Sequence, residues 1–438
     1  MTAVDLGAGV PGERTTVPLV LSALAAALTA PRGFGDQSLL SPRPDAIRLL
    51  GGIPDPGALP VTELREVLGE VWDAGGGAAS LQYSATPGLT GLRAWIAARE
   101  GVDERRVVIT SGGLHGLSLT VQALVERGAT VAVDNPAFPI FLRVLELVDA
   151  RTLPVPVEAD GIDVEHLARR LAAGERIAAV YTVPDFHNPS QGTLSAAKRA
   201  ALVDLAERYG FVVIADDPYR ELRFAGTDQG RQVFFDSEHV VHVNTFTKTL
   251  GPGLRLGWLV LPDPLVDAVV RLRNRQDSHS STLVQTLVQH LLVSRPGWFD
   301  RTLERANALY RHRAGVLVDE LERRLPGRFA ITAPDGGFFL WPRLVDDAVD
   351  ARDLHRRATA EGLDYQQGEF FATGPGTDSH RRLRLAYGDR TDEELRTAVE
   401  RLARAYEGAS GVLVSRVVPA DGVQAAPAVR AARPEPRR

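Results

Sequence analysis

AAVYTVPDFHNPSQGTLSAAKRAALVDLAERYGFVVIADD, residues 178–217, sets the fold class. It opens on a short β-branched run, AAVYTVP (178–184), and passes a turn carrying Asn188-Pro189. A helical pattern follows over Ala196–Arg208, and the stretch closes on VVIADD (212–217). Both apolar runs are short, lack regular polar alternation and end in Pro or Asp, as strands buried on both faces do. The same rhythm recurs outward from it. VVIT (107–110), VAVD (131–134), VVHVN (240–244) and WLVL (258–261) read as strands, with helices over Leu114–Arg127 and Val164–Ala173. Strand–helix alternation of this kind predicts an α/β large lobe, a mainly parallel sheet sandwiched by helices.

After Pro264 the pattern turns to long helices: Leu265–Arg275, Leu283–Val293 and Phe299–Arg324. A strand-rich stretch follows in ITAPDGGFFLWPRL (331–344) and RRLRLAY (381–387), around a helix near Arg352–Ala360. The last helix, Asp392–Tyr406, is acidic at its start and basic toward its end, as the helix dipole favours. Together these predict a smaller α+β lobe. The expected division is an N-terminal arm (1–60) contributing to the small lobe and a dimer, a large domain (61–300), a small domain (301–407) and a flexible tail (408–438). The tail is rich in Ala, Pro, Val and Arg without periodicity.

With 438 residues, 44% hydrophobic and 24% charged, the chain lies outside disordered and collagen-like compositions. Fifty basic against 55 acidic residues, a net charge of -5, leave no footprint for a nucleic-acid partner. Cysteine is absent, which removes disulfides, thiolate metal sites and a Cys nucleophile, and no metal site is expected. The apolar run Val17–Ala30 is too short to span a bilayer and lacks a strongly basic start. It reads as a short helix packing on a neighbouring surface such as a second subunit; a signal peptide is the alternative. No membrane partner and a cytoplasmic location are the expectation.

Of the 50 basic residues only Lys198 and Lys248 are lysines. Only an amine can condense with an aldehyde, so each one matters. In VNTFTKTLGPGLRLGW (243–258), Lys248 follows a strand, with Thr245, Thr247 and Arg255 close by. An aldehyde–phosphate cofactor suits that set: imine on Lys248, phosphate on the hydroxyls and guanidinium. In VVIADDPYREL (212–222) the paired carboxylates could bind metal, act as acid and base, or salt-bridge a ring nitrogen. The spacing of Asp216 and Tyr219 fits the last, Asp216 keeping a pyridine protonated as an electron sink. Asn188 before Pro189 could donate to the ring oxygen. ITSGGLHGL (109–117) offers a Gly-rich helix start, where backbone N–H groups favour phosphate.

The order of motifs carries further information. LQYSATPGLTGLRAWIA, TSGG, DNPAFP, PDFHNPS, ADDPYREL, TFTKTLGPGLRLGW, PDGGFFLW and LRLAY, preceded by GGIPDPGALP (51–60), resemble the class I/II aminotransferases of the pyridoxal-phosphate fold-type I superfamily. Within it the resemblance is to the subgroup of 2-aminoadipate and kynurenine aminotransferases, over roughly Leu49 to Tyr406. The resemblance implies pyridoxal 5'-phosphate as cofactor and Lys248, Asp216 and Tyr219 as catalytic residues. Lys248 is then the Schiff-base lysine, Asp216 pairs with the ring nitrogen, and Asn188 and Tyr219 bind the ring oxygen. It also implies that Phe138 stacks on the ring and that Gly112, Gly113, Leu114, Thr245, Thr247 and Arg255 hold the phosphate. Arg384 would clamp the substrate carboxylate, with Gly52 and Asn188 beside it. Tyr83 would reach the partner subunit's phosphate, implying a homodimer with shared sites.

The resemblance implies transamination between an L-amino acid and a 2-oxo acid. Departures from the family pattern keep a second use of the same carbanion open: β- or γ-elimination, replacement, cyclisation (for example on S-adenosylmethionine) or oxidation. Gly113 and Leu114 stand where the family often has Ser and Gln, Phe138 where it has Tyr, Gln191 where it has Gly, and Gln367 where it has Pro. Gly35 falls near where an arginine often selects a distal carboxylate, which argues against dicarboxylate preference. About 50 residues precede the match, too few for the winged-helix module of aminotransferase-like transcription regulators.

Overall fold

The computed structural model describes residues 19–28 and 45–411, and most of its strands fall into two sheets. Strand β1 (Ile47–Leu49) opens the smaller one. The larger takes β2 (Val107–Thr110), β3 (Thr130–Asn135), β4 (Arg151–Glu158), β5 (Gly161–Ile162), β6 (Ala179–Thr182), β7 (Val212–Asp216), β8 (Val240–Thr245) and β9 (Gly257–Val260). Their order is β2-β9-β8-β7-β6-β3-β4-β5. The run from β8 through β7, β6 and β3 to β4 is parallel. Strand β9 is antiparallel to both neighbours, β2 and β8, and β5 to β4. The C-terminal ends of β2, β3, β6, β7 and β8 therefore share one edge, where open α/β sheets bind their ligands.

The continuous apolar character of these strands has a direct cause. Val180, Val213 and Ala215 pack beneath the helices Val164–Ala172 and Ala196–Tyr209. Their neighbours Ala179, Tyr181 and Ile214 point the other way, beneath Gly113–Leu124 and Pro139–Glu146. Side chains alternate across a strand, so two covered faces require apolar residues at every position.

The smaller lobe carries β10 (Phe329–Ala330), β11 (Phe339–Leu340), β12 (Arg343–Leu344), β13 (Leu363–Gln367) and β14 (Leu383–Ala386). Its four-stranded sheet runs β1-β13-β14-β11, so the N-terminal strand pairs in parallel with β13. Helices Trp298–Arg324, Ala351–Ala360 and Asp392–Ser410 contribute Leu317, Leu354 and Leu402 to its core.

Three readings from sequence change. The stretch 331–344 holds only β11 and β12, because Pro334, Asp335, Gly336 and Gly337 are poor strand formers; Gly336 makes only an isolated bridge to Arg223 and packs so tightly that a Cβ would lie 2.5 Å from the Leu222 carbonyl and 2.4 Å from Phe186. The last helix does not stop at Tyr406; it continues to Ser410 and ends on Gly411 at φ 69°. Burial of Ala405 and Tyr406 outweighs the roughly 1 kcal/mol that Gly408 costs a helix. Gly408–Ser410, expected in the tail, are thus helical, and 412–438 lie outside the described residues, as do Gly35 and 1–18. Of the apolar run Val17–Ala30, a helix over Ala23–Ala27 is described, capped by Ser22 and burying none of its residues. Among the described residues no helix is long and apolar enough to cross a membrane.

Gly257 on β9 joins sheet to ligand edge. A Cβ there would sit 2.8 Å from both the Asn244 carbonyl oxygen and the Gly112 backbone. Gly257→Ala is expected to cost about 1–3 kcal/mol through overpacking. Gly253→Ala, with nothing within 4 Å, should be near neutral. Denaturant unfolding of both variants checks this; equal midpoints would refute the packing account.

Candidate active site

Each loop on the ligand edge is set by a local device. Strand β7 ends at Asp216, and alternation separates it from Asp217. Asp216 lines a cavity of about 570 Å³ and accepts a hydrogen bond from the Tyr181 hydroxyl at 2.8 Å. Asp217 turns away and accepts from His242 Nε2 at 3.1 Å, with Arg220 3.7 Å off. The two carboxyls respond in opposite directions. Burial raises Asp216 to about 7, aided by Asp217 and opposed by Tyr181 and Lys248. Burial also pushes on Asp217, but His242, Arg220 and Arg199 hold it below the usual carboxylate range.

After β8 the chain makes a tight turn, Phe246–Lys248, capped by the Thr245 hydroxyl, which accepts from the Thr247 N–H at 3.1 Å. Phe246 is anchored under the sheet against Trp258, ring centroids 4.8 Å apart. That anchor leaves Thr245, Thr247 and Lys248 lining the cavity. Lys248 Nζ donates to the Gly52 carbonyl at 2.7 Å and lies 5.6 Å from the Tyr219 ring centroid. Burial, with repulsion from Arg384 and Arg255 outweighing Asp216, lowers Lys248 to about 8. A neutral amine is thus within reach near pH 8.

Gly112, at φ 87°, precedes the helix Gly113–Leu124. Arg255, itself at φ 48°, lays its guanidinium over that glycine, where a Cβ would meet Nη2 at 2.5 Å. Its Nη2 donates to the Ser111 carbonyl at 3.3 Å. A helix N-terminus, two hydroxyls 2.7 Å apart and a guanidinium form an anion cradle. Phe138 and Leu114 also line the cavity.

Across from this cradle stands Arg384 on β14. Its Nη1 donates to Asn188 Oδ1 at 2.7 Å and its Nη2 to the Leu50 carbonyl. The guanidinium lies 4.3 Å over Phe339 and 4.7 Å over Phe371. Nε is buried without a partner, and burial lowers Arg384 to about 10. Tyr219 is raised above its usual value by burial, against the pull of Arg384 and Asn188. Gly52 passes so close to Phe339 that a Cβ would lie 2.6 Å from its ring. The site residues named from sequence thus meet in one cavity, with two exceptions, Gly112, which adjoins the lining residue Gly113, and Tyr83. Tyr83 does not line it; it is 89% exposed and packs edge-on against His279.

Sequence reasoning passed over Tyr181, Phe339, Phe371 and Arg48. Tyr181 lay hidden in an apolar run. It pairs in register with Ile214, which places it on the face of Asp216, but that register is a tertiary fact.

Residues 52–402 match the family model described as aminotransferase class I and II. This chain belongs to that family. A 2-aminoadipate transaminase of Thermus thermophilus is 32% identical over 376 residues, 84% of this chain and 92% of that protein. A solved α-aminoadipate aminotransferase of the same species, complexed with N-(5'-phosphopyridoxyl)-L-leucine, has TM-score 0.80 at 30% identity, covering 89% and 98%. Kynurenine aminotransferase of Pyrococcus horikoshii gives TM-score 0.80 at 27% identity over 89% and 97%. The protein is a pyridoxal-phosphate-dependent aminotransferase.

The residues present fit that cofactor. The cradle at Gly112 takes a phosphate, and a half-buried amine stands where an aldehyde can meet it. A carboxyl raised by burial returns to its ionised form once a cation, such as a protonated ring nitrogen, lies beside it.

Asp216 also gives the cofactor-free chain a pH signature. Between its unfolded value of 3.8 and about 7, the folded chain holds a proton the unfolded chain has released. This stability is complete below about pH 4 and lost as pH rises through 7, roughly 4 kcal/mol at most at ~1.4 per unit. Against wild type, Asp216→Asn should therefore gain relative stability in urea from pH 5 to pH 8. A constant difference across that range would contradict the buried-carboxyl account.

Proposed function

We propose that this aminotransferase moves the amino group of an L-amino acid to a 2-oxo acid with Lys248, Asp216 and Arg384 as its working groups. The observation that carries the assignment is their convergence on one cavity with the anion cradle. Lys248 would bear the cofactor and Asp216 hold its ring nitrogen. Asn188 and Tyr219 would meet its ring oxygen, and Phe138 cover its face. Thr245, Thr247, Arg255 and the Gly112–Leu114 backbone would hold its phosphate. When bound, the cofactor supplies an electron sink for the pair left by the substrate Cα–H bond.

The chain's own groups do the rest. Arg384 meets the α-carboxylate with two parallel donors, a geometry suited to guanidinium. Phe339 and Phe371 keep that guanidinium flat and dry. Lys248 Nζ, lowered to about 8, accepts the Cα proton and returns it.

The other lysine is disqualified by its surroundings. Lys198 Nζ sits between Glu158 and Asp160 at 2.6 Å each. Borohydride treatment of the holoenzyme should fix a pyridoxyl group on the peptide bearing Lys248 and none on that bearing Lys198. Lys248→Ala should abolish turnover, and Lys198→Ala should leave it. Label on Lys198 would overturn the reading.

The same proposal makes the enzyme a homodimer with shared sites. Val61, Leu68 and Trp72 expose one apolar face of helix Val61–Asp73, and Leu81 and Tyr83 are exposed beyond it. A second copy covering this surface would carry Tyr83 to the opposite phosphate. Mixing inactive Lys248→Ala with inactive Tyr83→Ala chains gives hybrids in which one site holds both defects and the other none. Activity should return toward one intact site per dimer. If chains exchange and none returns, sharing is wrong.

A further inference from the structure

We infer that Arg48 is the specificity residue for the distal end of the amino donor, selecting a side chain that ends in a carboxylate. This deepens the function proposed above and rests on it. Arg48 lies on β1 and lines the same cavity as Arg384. Register places both on one face of the small sheet. Arg48 pairs with Asp364 on β13, and Gln366, two residues on, pairs with Arg384 on β14. Residues directly opposite, and residues two apart on a strand, point to the same side. Gln366 lines the cavity between the two arginines.

The spacing suits a short chain with an acid at each end. Two strand spacings across and two residues along put the arginine Cα atoms roughly 12 Å apart, and both side chains reach inward. The lining of the same cavity includes the apolar Ile53, Leu114 and Ile140, a surface for methylene groups.

Arg48 is also the cation with capacity to spare. Its Nε is buried without a hydrogen-bond partner, and among the described residues it forms no ion pair. Arg390, which also lines the cavity, is held by Asp389 and by Glu394 at 3.2 Å. Arg255 is turned into the cradle. A carboxylate reaching Arg48 would satisfy a buried donor that is otherwise unpaired, a gain that an apolar side chain cannot offer. The missing arginine near Gly35 therefore does not settle substrate choice.

The experiment measures kcat and KM of the holoenzyme with L-2-aminoadipate, L-glutamate and the neutral L-norleucine, at fixed 2-oxo acid. Wild type should favour the acidic donors. Arg48→Leu should lower their kcat/KM by about 10–100-fold, chiefly through KM, and leave norleucine equal or better. Arg48→Lys should recover part of the loss. Parallel losses for acidic and neutral donors, or a wild type indifferent between them, would overturn the role of Arg48 and leave transamination standing. Turnover with no amino acid, together with no cofactor fixed on Lys248, would instead bring down the reading beneath it.

Discussion

Asp216 and Arg384 are buried and Lys248 half-buried around one cavity, and no ion pair joins any of them among the described residues. Burial displaces all three from their ordinary ionisation, the amine to about 8, the carboxyl to about 7 and the guanidinium to about 10. An apolar replacement set would fold more easily, since unpaired buried charge is among the costliest features a chain can hold. The fold keeps them because a site whose charges were already paired would have little left to offer a ligand.

Behind the ligand edge, two buried carboxylates are each held by two guanidinium groups. Glu100 accepts from Arg220 through both oxygens and from Arg231 at 3.0 Å. Asp185 accepts from Arg199 at 2.8 Å and from Arg223 at 2.6 Å. These networks hold the same strand ends and loops that carry the cavity: Arg220 follows Asp217, and Asp185 precedes Asn188. Paired charge behind the edge thus braces unpaired charge in front of it, a division expected where stability and function compete.

Much of this was legible in sequence because its cause is local. Short apolar strands, the Asn-Pro turn and the lone lysine after β8 each follow from neighbouring residues. The family motifs extended that reading to Arg384, far along the chain. What escaped depends on partners distant in sequence. Tyr181 matters only through strand register with β7, and Arg48 only through β1 joining β13. The helical end at Gly408–Ser410 is decided by the burial of Tyr406, a contact that local sequence does not show. At Gly408 packing outweighs local propensity, whereas at 331–338 the loop agrees with the weak strand propensity of Pro334, Asp335, Gly336 and Gly337.

The segment after β1 shows why the small sheet must begin at the N-terminus. Leu50 offers its carbonyl to Arg384 and Gly52 offers its carbonyl to Lys248, acceptors two residues apart on one extended chain. Their donors lie 334 and 196 residues away. A carbonyl is a dipole without net charge, so it orients a cation and satisfies its hydrogen without neutralising it. A carboxylate in either place would pair the cation outright and raise its affinity for its proton. Gly52 completes the argument sterically: only a residue without Cβ lets this chain pass 2.6 Å from the Phe339 ring at the Cβ position. Parallel pairing of β1 with β13 sets the height at which those carbonyls arrive. The orientation of both cations is thereby tied to the same three residues, Leu50, Gly51 and Gly52.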